Sequence, residues 1–184
     1  LLDEQQRPTH MPRGPAKRTG PGFLNPAMAP ARTRSVLLLN DALDHGWLVS
    51  DNKSIRVLDA LCATGVRIRR WRNEIPMLNQ NRLRITANDL DEFALNWARH
   101  SHSTHPPHQP IEHEPEDDRY GKTSNQVFEN GLDFRQMDAR IAMLETGYQW
   151  IDLDPFGSPV QFLDAALQGL SRTGVLEITA TDTA

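Results

Sequence analysis

The chain has 184 residues, of which 38% are hydrophobic, 24% charged and 7% aromatic, a composition suited to one globular domain and short for two. No apolar run approaches the ~20 residues of a membrane-spanning helix, no N-terminal stretch has the apolar core of a secretory signal, and a single cysteine, Cys62, excludes an internal disulfide. The net charge of −4 gives no global sign of nucleic-acid binding.

The charge is unevenly spread. Residues 1–35 carry Arg7, Arg13, Lys17, Arg18, Arg32 and Arg34 against Asp3 and Glu4, so this arm is +4 and the remainder −8. Its prolines and glycines read as loop, and it is set apart as a basic arm before a domain at 36–184. Val36, Leu39 and Leu43 recur at helical spacing and predict a helix over 33–44.

From Ile55 short apolar runs alternate with helical stretches. Strands are expected at 55–61, 83–88, up to Asp138, at 148–154 and at 175–181. Between them, Ile68, Trp71 and Ile75 mark one helix face, closed by Pro76. Phe93 and Trp97 give the next helix an apolar side, with Asp91 as its N-cap. A short helix covers 140–144. Ser158-Pro159 starts a last helix, carried by Phe162, Leu163, Ala166, Leu167 and Leu170 and ended before Gly174. Strand alternating with helix implies a parallel sheet. Residues 101–126, with four prolines, four histidines and five acidic residues, interrupt the rhythm as a surface loop. The chain opens on Leu1, has its first Met at 11 and closes on a strand, so we expect a segment of a longer protein, truncated after about the fifth strand.

In open α/β sheets ligands sit outside the carboxyl ends of the strands, and Asp59, Asp89, Asp138 and Asp154 fall at or beside those ends. Aspartate is a poor strand residue and needs a partner near a buried sheet. Helix capping is the other reading of each, and it suits Asp91 better than Asp154, since Ser158 already holds the cap position. The turn from Asp59 to Arg67 (Asp-Ala-Leu-Cys-Ala-Thr-Gly-Val-Arg) is small-residued, so a ligand can approach backbone N–H groups at a helix start. Its single glycine, Gly65, disfavours a nicotinamide fingerprint. Asp89 suits a ribose diol, because one carboxylate accepts from both hydroxyls.

The sharpest motif is Asp152-Leu153-Asp154-Pro155-Phe156-Gly157-Ser158-Pro159. Pro155 fixes the backbone after Asp154, and Gly157 permits a tight turn. A carboxylate beside an aromatic suits an exocyclic amine on a nucleobase: it accepts the amine N–H bonds and can take the proton lost on alkylation, while the ring stacks on the base. The competing reading makes Phe156 a core residue and Asp154 a turn former.

These motifs together resemble the tRNA (guanine-26-N2)-dimethyltransferases. The stretch from Tyr148 to Ala184, the run Phe23-Leu-Asn-Pro-Ala-Met-Ala-Pro-Ala-Arg32, the Asp59–Arg67 turn, Asn88-Asp89 and Asp138-Ala139 are similar to that family's ordered segments. Leu24, Ala27 and Cys62 depart from its usual residues. The resemblance implies a Rossmann-like class I methyltransferase fold of α/β type, a parallel sheet with helices on both faces, with S-adenosyl-L-methionine as cofactor and tRNA as partner. It also implies roles. Arg32 would pair with the methionine carboxylate; Asp59 with Ala63, Thr64, Gly65 and Val66 would surround the methionine and ribose; Asp89 would bind the ribose hydroxyls; Asp138 would meet the adenine amine with Ala139 beside the ring. Asp154 would act on guanine N2, with Phe23, Pro155 and Phe156 holding the base. The expected activity is mono- and dimethylation of that nitrogen at position 26, in the cytoplasm (or a nucleus or mitochondrion), with no membrane and no obligatory protein partner.

Two other functions stay open at this point. One is an adenine N6-methyltransferase on DNA or RNA, which also uses a polar residue followed by Pro and an aromatic. The other is a non-catalytic cofactor- or RNA-binding module. His100, His102, His105, His108 and His113 have no recognised zinc spacing, so no metal is expected. Cys62 reads as a small packed residue. Arg67, Arg69, Arg70 and Arg72 either track phosphate or face solvent.

Overall fold

Along the first strand, alternate residues enter different cores. Ile55 and Val57 join one apolar cluster while Leu58 joins another, which only a strand covered on both faces can do. The computed structural model describes residues 24–49, 53–104 and 131–180. It contains five strands, β1 (Ile55–Asp59), β2 (Leu83–Asn88), β3 (Leu132–Arg135), β4 (Tyr148–Leu153) and β5 (Leu170–Ile178), all parallel to their neighbours in the order β3-β2-β1-β4-β5. The helices are α1 (Ala29–Asp44), α2 (Val66–Glu74), α3 (Met77–Gln80), α4 (Glu92–Thr104), α5 (Ala139–Leu144) and α6 (Leu163–Gly169). Residues of α1, α2 and α4 cover one face with Val57, Ile85 and Trp150; residues of α5 and α6 cover the other with Leu58, Ile151 and Leu153. The expected parallel α/β sheet with helices on both faces is therefore present. Chain order runs outward from β1 through β2 to β3 and then returns to β4 beside β1, which puts a topological switch point between β1 and β4.

Several expected boundaries move, each for a local reason. A 3₁₀ turn, Pro26–Met28, is capped by Asn25, whose Oδ1 accepts from the Ala27 N–H at 3.0 Å, and α1 follows directly with Pro30 in its first turn. The helix thus starts at Ala29 instead of 33, and a domain boundary at 35 falls inside it. β1 ends at Asp59, since Ala60 and Leu61 enter the turn. β3 ends at Arg135, three residues before Asp138, which is the N-cap of α5. The last helix begins as a 3₁₀ turn at Val160, and Ser158 Oγ meets the Val160 N–H at only 3.4 Å. α6 stops at Gly169 and β5 begins at Leu170, ahead of Gly174. A Cβ on Gly169 would overlap the Met143 carbonyl, so α5 and α6 meet through that glycine. Gly174 lies against the Tyr148 and Gln149 carbonyls, where the β4–β5 register shifts. α3 was not expected. Residues 101–104 of the expected loop belong to α4, and 105–126 lie outside the described residues, as do Phe23, Thr181 and most of the basic arm.

The phase of α4 also differs from expectation. Phe93 and Trp97 are 71% and 46% exposed, and Ala94, Leu95 and Ala98 form the buried side. The cause is close approach: a Cβ on Gly65 would sit 2.9 Å from the Ala98 Cβ, so only small residues fit between α4 and the β1–α2 turn. Asp91 caps α4 as expected, accepting from the Phe93 N–H at 2.9 Å. Among the described residues no helix is long and apolar enough to cross a membrane, and no group of three or more His, Cys, Asp or Glu residues is placed to hold a metal ion.

Candidate active site

The carboxyl ends of β1, β2 and β4 open into a cavity of about 480 Å³, in the size range of small-molecule sites. One wall is Leu24, Asn25, Met28 and Arg32; the floor is Asp59 and the 61–64 turn with Val66 and Arg67; Asp89, Leu90, Asp91 and Ala94 form the second wall, and Asp152, Asp154, Pro155 and Phe156 the third.

The β1–α2 turn is built by hydrogen bonds from the neighbouring strand. The Cys62 N–H donates to the Asn88 carbonyl at 2.8 Å, and Gly65 N–H closes the turn on the Cys62 carbonyl at 2.7 Å. Ala63 has φ 45° and Gly65 φ 69°, so the backbone passes twice through the left-handed region before α2. Asp89 holds this shape: its Oδ2 accepts from the Ala63 N–H at 2.8 Å and its Oδ1 from the Asp91 N–H at 2.9 Å. Asn88 Nδ2 donates to the carbonyls of Ala60 (3.0 Å) and Met137 (3.1 Å), tying the ends of three strands together. Cys62 is buried, and burial first, then Asp59 and Asp89, push its thiol well above the ordinary range, which disfavours the thiolate.

The electrostatics centre on a row of acids that lies across the sheet. Asp59, Asp152 and Glu177 are register partners on β1, β4 and β5. They share a phase with Val57, Trp150 and Val175, on the face that carries α1 and α2. Like charges directly opposite each other on neighbouring strands repel, and Arg67 answers them. Only 4% exposed, its Nε reaches Asp152 Oδ2 at 2.8 Å, its Nη2 Asp154 Oδ2 at 2.9 Å and its Nη1 Glu177 Oε1 at 3.2 Å. Glu177 Oε2 accepts from Ser35 Oγ at 2.6 Å, and Ser35 Oγ accepts from Trp71 Nε1 at 3.0 Å. One guanidinium cannot neutralise four acids. Burial pushes Asp59 up to about 7, against the pull of Arg67 and with added repulsion from Asp154 and Asp89. Burial likewise raises Asp152 well above the usual carboxylate range, and raises Asp154 and Glu177. Burial works against the charge on Arg67, yet Asp152, Asp59, Glu177 and Asp154 together hold it above its ordinary value. The cavity floor therefore gathers more acids than it has cations to pair them, and a ligand with positive groups would favour their ionised forms.

The structure brings together Arg32, Asp59, Ala63, Thr64, Val66, Asp89, Asp154, Pro155 and Phe156 of the expected site residues. Gly65 shapes the turn without lining the cavity, and Phe23 lies outside the described residues. Asp138 and Ala139 are not part of the cavity lining. Asp138 is occupied instead as the cap of α5, accepting from Arg140 N–H at 2.8 Å and from Arg140 Nη2 at 2.5 Å. These bonds to Arg140 lower its carboxyl to about 2. Phe156 is 55% exposed, so it is not a core residue. Arg67 turns inward, whereas Arg70 pairs with Glu74 and Thr33 on the outside, so these arginines do not form a single phosphate track. Sequence reading gave Asp152 no role although it opens the sharpest motif, did not place Arg67 inside the site, and missed Glu177 and Ser35. The signal available for Asp152 was its place, two residues after the buried Trp150, which puts it on the same face of the strand.

A family model described as N2,N2-dimethylguanosine tRNA methyltransferase matches residues 7–184. The tRNA (guanine(26)-N(2))-dimethyltransferase of Pyrococcus furiosus is 35% identical over 174 residues, covering 94% of this chain and 40% of that protein. A human tRNA (guanine(27)-N(2))-dimethyltransferase is 26% identical over 141 residues, covering 73% of this chain and 18% of that protein. Among solved structures, Trm1 from Pyrococcus horikoshii with S-adenosyl-L-methionine superposes with a TM-score of 0.62 at 32% identity, over 86% of this chain and 38% of that one. The chain thus spans about 40% of the length of the archaeal relatives.

Proposed function

The chain belongs to the N2,N2-dimethylguanosine tRNA methyltransferase family, and on that premise we propose that the protein methylates the exocyclic N2 of a guanine in tRNA, using S-adenosyl-L-methionine. The observation that carries this reading is the meeting of two features at the switch point: an acid-lined cavity whose second wall presents Asp89 to a diol, and Asp154 with the exposed ring of Phe156 at its rim.

The residues present fit the cofactor. Asp89 has its carboxylate fixed by two backbone donors at the second wall, where it can accept from ribose hydroxyls. The left-handed turn at 63–65 leaves the backbone of Ala63 and Thr64 at the cavity surface, and Asp59 beneath it offers negative charge to the sulfonium and ammonium groups. Arg32, buried in the wall opposite, has its guanidinium anchored on the Asn25 carbonyl at 3.2 Å and is suited to the methionine carboxylate. The bound cofactor supplies an electrophilic methyl group.

The chain's own residues do the rest. Phe156 and Pro155 offer apolar surface on which an extruded base stacks; Phe23 is proposed for the opposite side of the base. Asp154 accepts the N–H bonds of the guanine amine, which orients its lone pair and returns electron density to it, and then takes the proton released as nitrogen becomes alkylated. Catalysis by this arrangement is positioning and charge. The same contacts accommodate a singly methylated nitrogen, since one N–H remains for Asp154, so the reading extends to dimethylation. The proposed target is position 26, as in the archaeal relatives, in the compartment where tRNA is processed, with tRNA as the partner.

Nucleoside mass spectrometry of unmodified tRNA treated with the full-length protein tests this reading. N2-methyl- and N2,N2-dimethylguanosine are expected, and both should vanish in Asp154→Ala while calorimetric cofactor affinity stays near wild type. N6-methyladenosine would assign the Asp-Pro-Phe site to adenine instead. Cofactor binding with no modified nucleoside would indicate a non-catalytic module.

A further inference from the structure

Arg67 occupies the first turn of α2: its Nη2 donates to Asp154 at 2.9 Å and its Nη1 to Glu177 at 3.2 Å, while its Nε lies 2.8 Å from Asp152 as an ion pair without hydrogen-bond geometry. The three acids differ in what else they touch. Asp152 is 1% exposed beneath the sheet end, and Glu177 is tied to Ser35 on α1, itself tied to Trp71 on α2. Asp154 is 26% exposed, on the cavity side. Arg67 thus has two anchors inside the protein and one arm at the rim. A planar guanidinium fixes direction as well as charge, because its donors leave in set directions. Replacement of such a buried cluster by apolar residues often costs little stability, so fold stability alone does not account for it.

We propose that Arg67 is a positioning residue for methyl transfer: anchored by Asp152 and Glu177, it fixes the Asp154 carboxylate in the orientation and ionised state that accept the substrate amine. The proposal rests on the reading of Asp154 as that acceptor. The charged groups facing Asp154 are Arg67 from α2, Arg32 from α1, Asp59 from β1, Asp152 from its own strand and Glu177 from β5. With Arg67 removed, Arg32 alone of these is left to oppose three acids. Asp154 would then keep its proton to higher pH, and a protonated carboxyl no longer accepts from the amine on that oxygen.

The test measures kcat for tRNA methylation at saturating cofactor and tRNA, from pH 5.5 to 9, with calorimetric cofactor Kd followed over the same range. The full-length wild type is compared with Arg67→Met, Arg67→Lys, Glu177→Gln and Asp154→Asn. Arg67→Met should lower kcat near neutrality by about 100-fold and move the acid limb of the kcat profile to higher pH, by about 1 or more, with a smaller change in Kd. Arg67→Lys keeps the charge and should restore most of the limb position without restoring full kcat, since one ammonium cannot span three acids in fixed directions. Glu177→Gln removes a negative neighbour, so its limb should stay or move to lower pH. An Arg67→Met enzyme with an unmoved acid limb would make Arg67 merely structural and overturn the proposal. If Arg67→Met does not fold, a lysine variant with wild-type kcat at every pH overturns it equally. Wild-type turnover in Asp154→Asn would instead remove the acceptor reading itself.

Discussion

The Ala63 N–H, on a residue with φ 45°, donates to Asp89 Oδ2 at 2.8 Å. A non-glycine residue in the left-handed region costs on the order of 1 kcal/mol or more, and Asp89 meets that cost with a charge-assisted hydrogen bond. The carboxylate proposed for the ribose diol is therefore also the clasp of the turn that forms the cavity floor. Asp89→Ala should weaken cofactor binding about 10- to 100-fold, the loss of one or two charge-assisted bonds partly replaced by water. Asp89→Asn retains one acceptor oxygen and should fall between. Isothermal calorimetry checks both, and an unchanged Kd in Asp89→Ala would reject the ribose role.

Three glycines make different demands, and alanine at each separates them. Gly157 has φ 84° with nothing within 4 Å of an added Cβ, so Gly157→Ala carries only the conformational cost, about 1–2 kcal/mol. Gly65→Ala adds a 2.9 Å contact with the Ala98 Cβ to a similar left-handed backbone and should lose a further ~1–3 kcal/mol. Gly169→Ala drives a methyl into the Met143 carbonyl, which is backbone and cannot swing aside, so it should separate α5 from α6. Urea unfolding is expected to rank Gly157→Ala as the mildest. Equal midpoints for all three would show that close approach is not what these positions require.

Much of the sheet was legible because buried parallel strands are short apolar runs. Those of β1, β2 and β4 are bounded by turn residues, and the turn from Asp59 to Gly65 shows its small residues openly. Helix phase was less legible. On α4 the large Phe93 and Trp97 suggest the core, but the constraint is the space beside Gly65, set by a segment some thirty residues earlier, and alanines fill it. The start of β5 was hidden because Leu170 continues the periodicity of α6, and the helix is stopped by the contact between Gly169 and α5. The acid row across β1, β4 and β5 depends on strand order and register, and Arg67 meets Glu177 from 110 residues away. With four arginines on one helix, the sequence gave no sign that Arg67 and Arg72 are the two that turn inward.

Asp138 separates capping from ligand binding. Its side chain is engaged by Arg140 and lies outside the cavity lining. Asp138→Ala should cost about 1 kcal/mol as a lost N-cap, while cofactor affinity changes less than about twofold, a few tenths of a kcal/mol. Thermal unfolding and calorimetry on the same sample decide. A tenfold loss of affinity with little change in stability would restore the adenine contact that the family resemblance implies.

Asp59 gives a pH dependence whose sign differs between folding and binding. In the folded chain burial pushes its carboxyl up to about 7, whereas an unfolded aspartate titrates near 3.8. Between those values the folded state holds a proton that the unfolded state has released. Stability contributed by this group is therefore greatest at low pH, falls as pH rises from about 4 to about 7, and is level above. Asp152, Asp154 and Glu177 are shifted in the same direction and steepen the slope. Asp138 is shifted the other way, to about 2, and acts only below about pH 4, outside this window. Without cofactor, the melting temperature should fall from pH 5 to pH 8. Asp59→Asn cannot ionise, so it should flatten that fall and exceed wild-type stability at pH 8, by ~1.4 kcal/mol for every tenfold by which folding tightens proton binding at Asp59. Cofactor binding should move oppositely. The ionised carboxylate is the form that attracts the sulfonium and ammonium groups, so Kd tightens as pH rises through 7 in the wild type and tightens less in Asp59→Asn, where Asp152 and Asp154 still titrate. Unfolding and calorimetric titrations across pH 5–8.5 measure both. A variant whose stability and affinity follow pH as the wild type does would mean that Asp59 is already ionised in the folded chain at pH 5.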